Sequence, residues 1–201
     1  LIDYNDLVER LQKLSASPRV QIERLETTVE GRGIYSIIIA DEAIIPNLDY
    51  HRTWAALAQR PTVRHKSLAD VEVTPKPEIP ADVRYSVCVM GQTFGHEASH
   101  VEGLVELAEH LAWGDDAETK EILSRVIVQI IPMINPDGRE VGIELWKRVP
   151  LAEDGAAVGN RYGFYINRDF LHLTQPEGRA ALASFKKWHP LALYDTHEDA
   201  Y

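Results

Sequence analysis

The chain has 201 residues, 45% hydrophobic and 26% charged, enough to bury a sizeable core as one globular domain over residues 1–201. Its net charge of −10 argues against a nucleic-acid partner, which needs a basic surface to neutralise phosphates. No apolar run approaches the roughly 20 residues of a membrane span, and the opening Leu1-Ile2-Asp3-Tyr4 shows no basic-then-apolar leader.

Apolar periodicity predicts a short opening helix over Tyr4 to Leu14, with Leu7, Leu11 and Leu14 on one face. Val20 to Glu26 and Gly33 to Ala40 read as two strands joined by Val29-Glu30-Gly31-Arg32, an antiparallel hairpin. Between Ile45 and Arg84, Pro46, Pro61, Pro75, Pro77 and Pro80 predict an irregular connection with one helix around Leu48 to Arg60. Tyr85 to Met90 is a continuous apolar strand that contains the single cysteine, Cys88, expected as a buried structural thiol. Val101, Leu104, Val105, Ala108, Leu111 and Ala112 then recur at helical spacing. Val126 to Ile131 is the next strand, and Asn135-Pro136-Asp137-Gly138 has the composition of a turn. A helix over Gln175 to Trp188 leads into the strand Leu191 to Asp195. Apolar strands separated by helices imply an α/β fold: a mixed, mainly parallel sheet covered by helices on both faces. The polar clusters follow the strands, at the sheet edge where open α/β folds place ligands.

One cluster, His96-Glu97-Ala98-Ser99-His100, fits the H-E-x-x-H pattern, in which one helical face offers two histidines to zinc and the glutamate acts as a base. The helix here is expected to begin only near Ala98, after a glycine-containing turn, so His96 and His100 need not share a face. In another frame, Gly91-Gln92-Thr93-Phe94-Gly95-His96-Glu97 follows a strand. It resembles the G-x-x-H-G-x-E segment of the zinc carboxypeptidases, the M14 metallopeptidases, with Phe94 in the place of the histidine. Four more segments resemble that family in order along residues 28 to 198. Thr28-Val29-Glu30-Gly31-Arg32 is similar to its S/T-x-E-G-R turn, and Pro132-Met133-Ile134-Asn135-Pro136-Asp137-Gly138 to its P-x-x-N-P-D-G strand end. Asn167-Arg168-Asp169-Phe170 is similar to its N-R-D-F segment, and Asp195-Thr196-His197 to its D-x-H strand end.

The resemblance implies a zinc-dependent carboxypeptidase that hydrolyses a C-terminal peptide or amide bond with a metal-activated water. Its substrate would be a peptide or an amide-linked amino acid. Glu97 and His197 would hold the zinc, with His96 as a candidate third ligand because phenylalanine cannot ligate a metal. Asn167 and Arg168 would grip the substrate carboxylate, Arg168 through the planar fork of its guanidinium. Trp146-Lys147-Arg148 resembles the family's W-R-K segment, which would bring a cation, Lys147 or Arg148, to the polarised carbonyl. Asp137 is assigned to its turn and not to the chemistry, and His51, His65, His110, His172 and His189 have no partnered pattern. Two rivals stay open: a relative that binds peptide C-termini without zinc, and a zincin-type endopeptidase using His96 and His100. The family's general base lies well beyond the last zinc histidine, whereas the sequence runs four residues past His197, so the C-terminal part of the domain is expected to be absent.

Overall fold

The computed structural model describes residues 1–61, 63–67, 70–97, 99–148 and 159–198. Helix α1 (Tyr4–Leu14) starts where Asp3 caps it: the Asp3 carboxylate accepts the Asp6 backbone N–H, and the Asp6 side chain accepts the N–H of Asp3. Leu7, Leu11 and Leu14 are buried along one face, as their spacing predicts. The antiparallel strands β1 (Val20–Thr27) and β2 (Gly33–Ile39) follow. Their turn passes through Gly31 at φ +85°, a conformation that side chains with a Cβ rarely adopt. Beyond a 3-10 turn at Ile45–Asn47, α2 (Leu48–Ala58) is the helix expected in the proline-punctuated stretch. That stretch holds more order than predicted, because β3 (Val63–Ser67) and β4 (Asp70–Val73) pair as a separate antiparallel sheet. Flanking prolines and the polar composition V-R-H-K-S hid it from a hydrophobicity criterion.

The remaining elements are β5 (Tyr85–Met90), α3 (Ser99–Trp113), α4 (Ala117–Arg125), β6 (Val126–Ile131), α5 (Pro136–Arg148), the single turn α6 (Ile166–Asp169), α7 (Pro176–Trp188) and β7 (Ala192–Asp195). The five-stranded sheet has the order β1-β2-β6-β5-β7, with β1, β2 and β6 paired antiparallel and β6, β5 and β7 parallel. Helices cover both faces. Successive side chains of a strand point to opposite sides, so Ile37, Ile39, Val128 and Ile130 pack with α1 and α3 through Leu11, Val101, Val105 and Ala108. Ile34, Cys88, Met90 and Ile131 face the other way onto Ala180 and Ala181 of α7, while Ile38 and Ile127 meet Trp188 and Leu48. Fully burying each such aliphatic side chain contributes about 1.5–3 kcal/mol.

Asn135-Pro136-Asp137-Gly138 does not form a turn as expected but opens α5. The Asn135 Oδ1 accepts the Gly138 N–H at 2.9 Å, the bond of a helix N-cap, and Pro136 takes the first helical position. The same residue types serve turns and helix starts, which explains the misassignment. Helix α4 also escaped the sequence reading; Asp116 caps it by accepting the Thr119 N–H at 2.8 Å. Asp137 is fully buried and joins two motifs, accepting from Thr28 Oγ1 at 2.8 Å and from Arg32 at 2.7 Å.

Helix α5 lies directly on the loop that follows β5. A Cβ added at Gly142 would sit 2.3 Å from the carbonyl oxygen of Gly95, closer than any real contact. Gly142→Ala is therefore expected to destabilise the fold by about 1–3 kcal/mol, the usual cost of overpacking. The check is a shift of the urea midpoint at unchanged slope; a parent-like midpoint would show that α5 does not press on this loop.

At the start of α7, Glu177 is completely buried beside Asn160, whose amide donates to it at 3.3 Å. Burial raises its pKa; the Asn160 bond and a backbone N–H pull it back, while Asp137 and Asp169 add to the rise. A carboxyl group with a folded pKa above its ordinary 4.5 adds stability that is complete below that value and is lost as pH rises through the folded value. Glu177→Gln should consequently be more stable than the parent at pH 7 and lose less stability between pH 5 and 8. Urea unfolding of both proteins across that range tests this, and parallel pH profiles would refute it.

Candidate functional site

Strands β5 and β7 are parallel neighbours with Met90 opposite Asp195, so the segments that follow them emerge at the same sheet edge. Thr196 fastens them, donating its N–H and its hydroxyl to the Met90 carbonyl at 2.9 and 3.0 Å. Thr93 donates to Asp195 Oδ1 at 3.2 Å.

Between these segments lies Glu97, fully buried. Its Oε1 contacts His197 Nδ1 at 2.7 Å and accepts the Glu198 N–H at 3.2 Å, and its Oε2 accepts the Phe94 N–H at 2.9 Å. The other imidazole nitrogen of His197 lies 3.2 Å from Asp195 Oδ2, so a carboxylate flanks each side of the ring. Partial burial pulls the His197 pKa down, but the hydrogen bonds and charges of Glu97 and Asp195 outweigh it, and the net shift is upward.

The Phe94 ring is the centre of an aromatic cluster. It stacks on His96 at 5.7 Å, lies tilted to His197 at 5.2 Å and meets Tyr165 nearly edge-on at 5.9 Å. Such pairs contribute about 0.5–1.5 kcal/mol each beyond area burial. His96 is in the turn before α3, and its Nδ1 is buried without a hydrogen-bond partner among the described residues. Helix α3 begins at Ser99, so His96 and His100 do not share a helical face, and the arrangement required of a zincin is not formed.

Asn167 and Arg168 belong to α6, directly after Tyr165. The Asn167 Oδ1 is buried and unpartnered. Arg168 is exposed, and its side chain makes no hydrogen bond or ion pair among the described residues. The adjacent Asp169 does not neutralise it, because its carboxylate accepts from the Thr174 N–H at 2.9 Å and the Gln175 N–H at 2.8 Å. The structure thus brings Glu97 and His197 into contact, while Asn167 and Arg168 follow Tyr165, whose ring meets that of Phe94. Arg148 lies apart, exposed at the end of α5 in a shallow cleft with Glu30, Glu140, Glu144 and Arg161. Lys147 pairs with Glu144 at 2.8 Å.

Sequence reasoning missed Arg139, only 1% exposed on α5. It donates to the Glu97 carbonyl at 3.4 Å and to Glu102 Oε1 at 2.7 Å, fixing the backbone at Glu97. Burial lowers its pKa, and the Glu102 charge opposes the shift. Its only signal in the sequence is a place between Gly138 and Gly142, where small residues let the helix come close.

A catalytic zinc site uses three protein ligands and leaves one position for water. Glu97 and His197 are of the right type and in contact, but no group of three or more His, Cys, Asp or Glu among the described residues is arranged to hold a metal ion. Phe94 contributes no donor. Among the described residues, the side chains do not complete a zinc site.

Comparisons with known proteins agree with the fold. The zinc carboxypeptidase profile, peptidase M14, matches residues 7–187, a span that stops short of His197. Among curated proteins nothing matches. A carboxypeptidase-A-like protein from Shewanella denitrificans OS-217 superposes with TM-score 0.67 at 16% identity over 99% of this chain and 40% of its own. A metallo-carboxypeptidase from Burkholderia cenocepacia gives TM-score 0.64 at 17% identity over 98% of this chain and 41% of its own. The Pseudomonas aeruginosa metallo-carboxypeptidase in complex with (2-guanidinoethylmercapto)succinic acid gives 0.57 at 20% identity, covering 98% and 40%. At these identities the likeness is one of fold, and the chain spans about two fifths of the length of these structures. With that profile matched over most of its length, the chain belongs to the zinc carboxypeptidase family, peptidase M14.

Proposed function

We propose that residues 1–201 act as one carboxypeptidase-like domain that recognises the terminal carboxylate of a peptide or of an amide-linked amino acid. Arg168 supplies the planar fork for the carboxylate, and Asn167 flanks it. The observation that supports this most directly is the Arg168 guanidinium, which has no partner among the described residues while Asp169 is occupied by Thr174 and Gln175. A bidentate arginine–carboxylate pair adds geometric selectivity to its charge. The Pseudomonas aeruginosa relative, in complex with a substituted succinic acid, carries a ligand of the same chemistry. The net charge of −10 disfavours nucleic acid as the alternative anionic partner.

A second reading, zinc-dependent hydrolysis of the C-terminal bond, is favoured by the Glu97–His197 contact, which joins two ligands of the right type. It needs a third donor, for which His96 with its unpartnered Nδ1 is the candidate. It also needs a general base that none of the described residues has been matched to.

The proposal is tested by equilibrium binding of an N-acetylated dipeptide acid and of its C-terminal amide. The acid is expected to bind roughly 10- to 150-fold more tightly, corresponding to the ~1.5–3 kcal/mol of a charged hydrogen-bonded contact. Arg168→Ala should abolish that preference while leaving the circular dichroism spectrum unchanged. Equal affinity of the parent protein for acid and amide would sink the assignment.

A further inference from the structure

The carboxylate that the family uses as a metal ligand is here saturated by protein donors from separate parts of the chain. Phe94 lies in the loop after β5, and His197 and Glu198 follow β7; all three bond to Glu97. Glu198 returns the connection. Its Oε2 accepts the Ser99 N–H at 3.1 Å and the Ser99 hydroxyl at 3.0 Å, at the first residue of α3. A carboxylate there satisfies an otherwise open helix N–H and complements the helix dipole. Each strand-end segment therefore donates to a glutamate of the other, with Arg139 of α5 holding the Glu97 carbonyl from behind.

From this reciprocity we infer that Glu97 and Glu198 form a carboxylate clasp that fixes the end of β7 on the start of α3 without a metal ion. Glu97 is a positioning residue in this chain. A metal taken up by Glu97 and His197 would have to displace the 2.7 Å contact between them, and the Phe94 ring beside His197 offers no donor in compensation. The clasp is independent of the carboxylate-binding proposal, since it concerns the unliganded protein.

The experiment measures zinc content by elemental analysis and thermal unfolding of the 201-residue protein, in chelator and in excess zinc. The parent should retain well under one zinc per chain and unfold at the same temperature in both. Glu198→Gln should lower the melting temperature by a few degrees, equally in chelator and in zinc, and Glu97→Gln should lower it further. Phe94→His, which supplies a third donor, should gain a zinc-dependent rise. Stoichiometric zinc in the parent with a zinc-dependent rise would overturn the inference. So would Glu198→Gln melting like the parent in chelator, a readout that survives even if Glu97→Gln fails to fold.

Discussion

The 2.7 Å contact between Glu97 and His197, residues 100 positions apart, exists only because β5 and β7 are adjacent and parallel. That adjacency follows in turn from a strand order in which β6 and β5 occupy the middle of the sheet, buried on both faces. Everything at the edge is referred to this frame. The loop after β5 is pressed into place by α5 through Gly142, and its backbone is held by Arg139, while the tail of β7 is fastened by Thr196 to the last carbonyl of β5. Neither segment has regular structure of its own, so the precision of the site is borrowed from the strands and the helix beneath it.

The sequence made the frame legible because its signals are local and strong. Continuous apolar strands bounded by Gly91 and by Asn135-Pro136 give both the strand assignments and the position of the polar clusters at their ends. Glu97, Asn167, Arg168 and His197 were singled out because their short segments resemble the motifs of the zinc carboxypeptidases. What was not legible depends on partners far away in sequence. Only the glycines on either side of it hint that Arg139 is buried, and nothing around Glu198 announces that it would bond to Ser99. Asn135 to Gly138 was misassigned for a different reason, because a helix start and a turn share their residue chemistry. Helix α4 was lost between a strong helix and a strong strand, where its narrow apolar stripe of Ile122 and Leu123 gave little periodicity.

Phe94, at the position where the zinc carboxypeptidase motif that this segment resembles has a histidine, limits what can hold the site together. An imidazole–metal bond is directional and supplies charge; a phenyl ring supplies dispersion, stacked on His96, tilted against His197 and edge-on to Tyr165. Hydrogen bonds must then carry the directional part, and Glu97 accepts them from three donors. The turn that carries Arg168 is organised separately, by the bonds of Asp169 to Thr174 and Gln175.

Strand β7 is four residues long, pairs on one side only among the described residues and leaves Leu193 and Tyr194 exposed at 45% and 60%. Among the strands of the main sheet it has the least to lose on opening, since it buries little and shares hydrogen bonds with a single neighbour. Fraying of this one strand would carry His197 away while Phe94, Glu97 and the core stayed folded. The free energy that matters for the integrity of the site is therefore the local cost of detaching β7, which is smaller than the global stability and is raised most directly by the bonds made just beyond the strand's end.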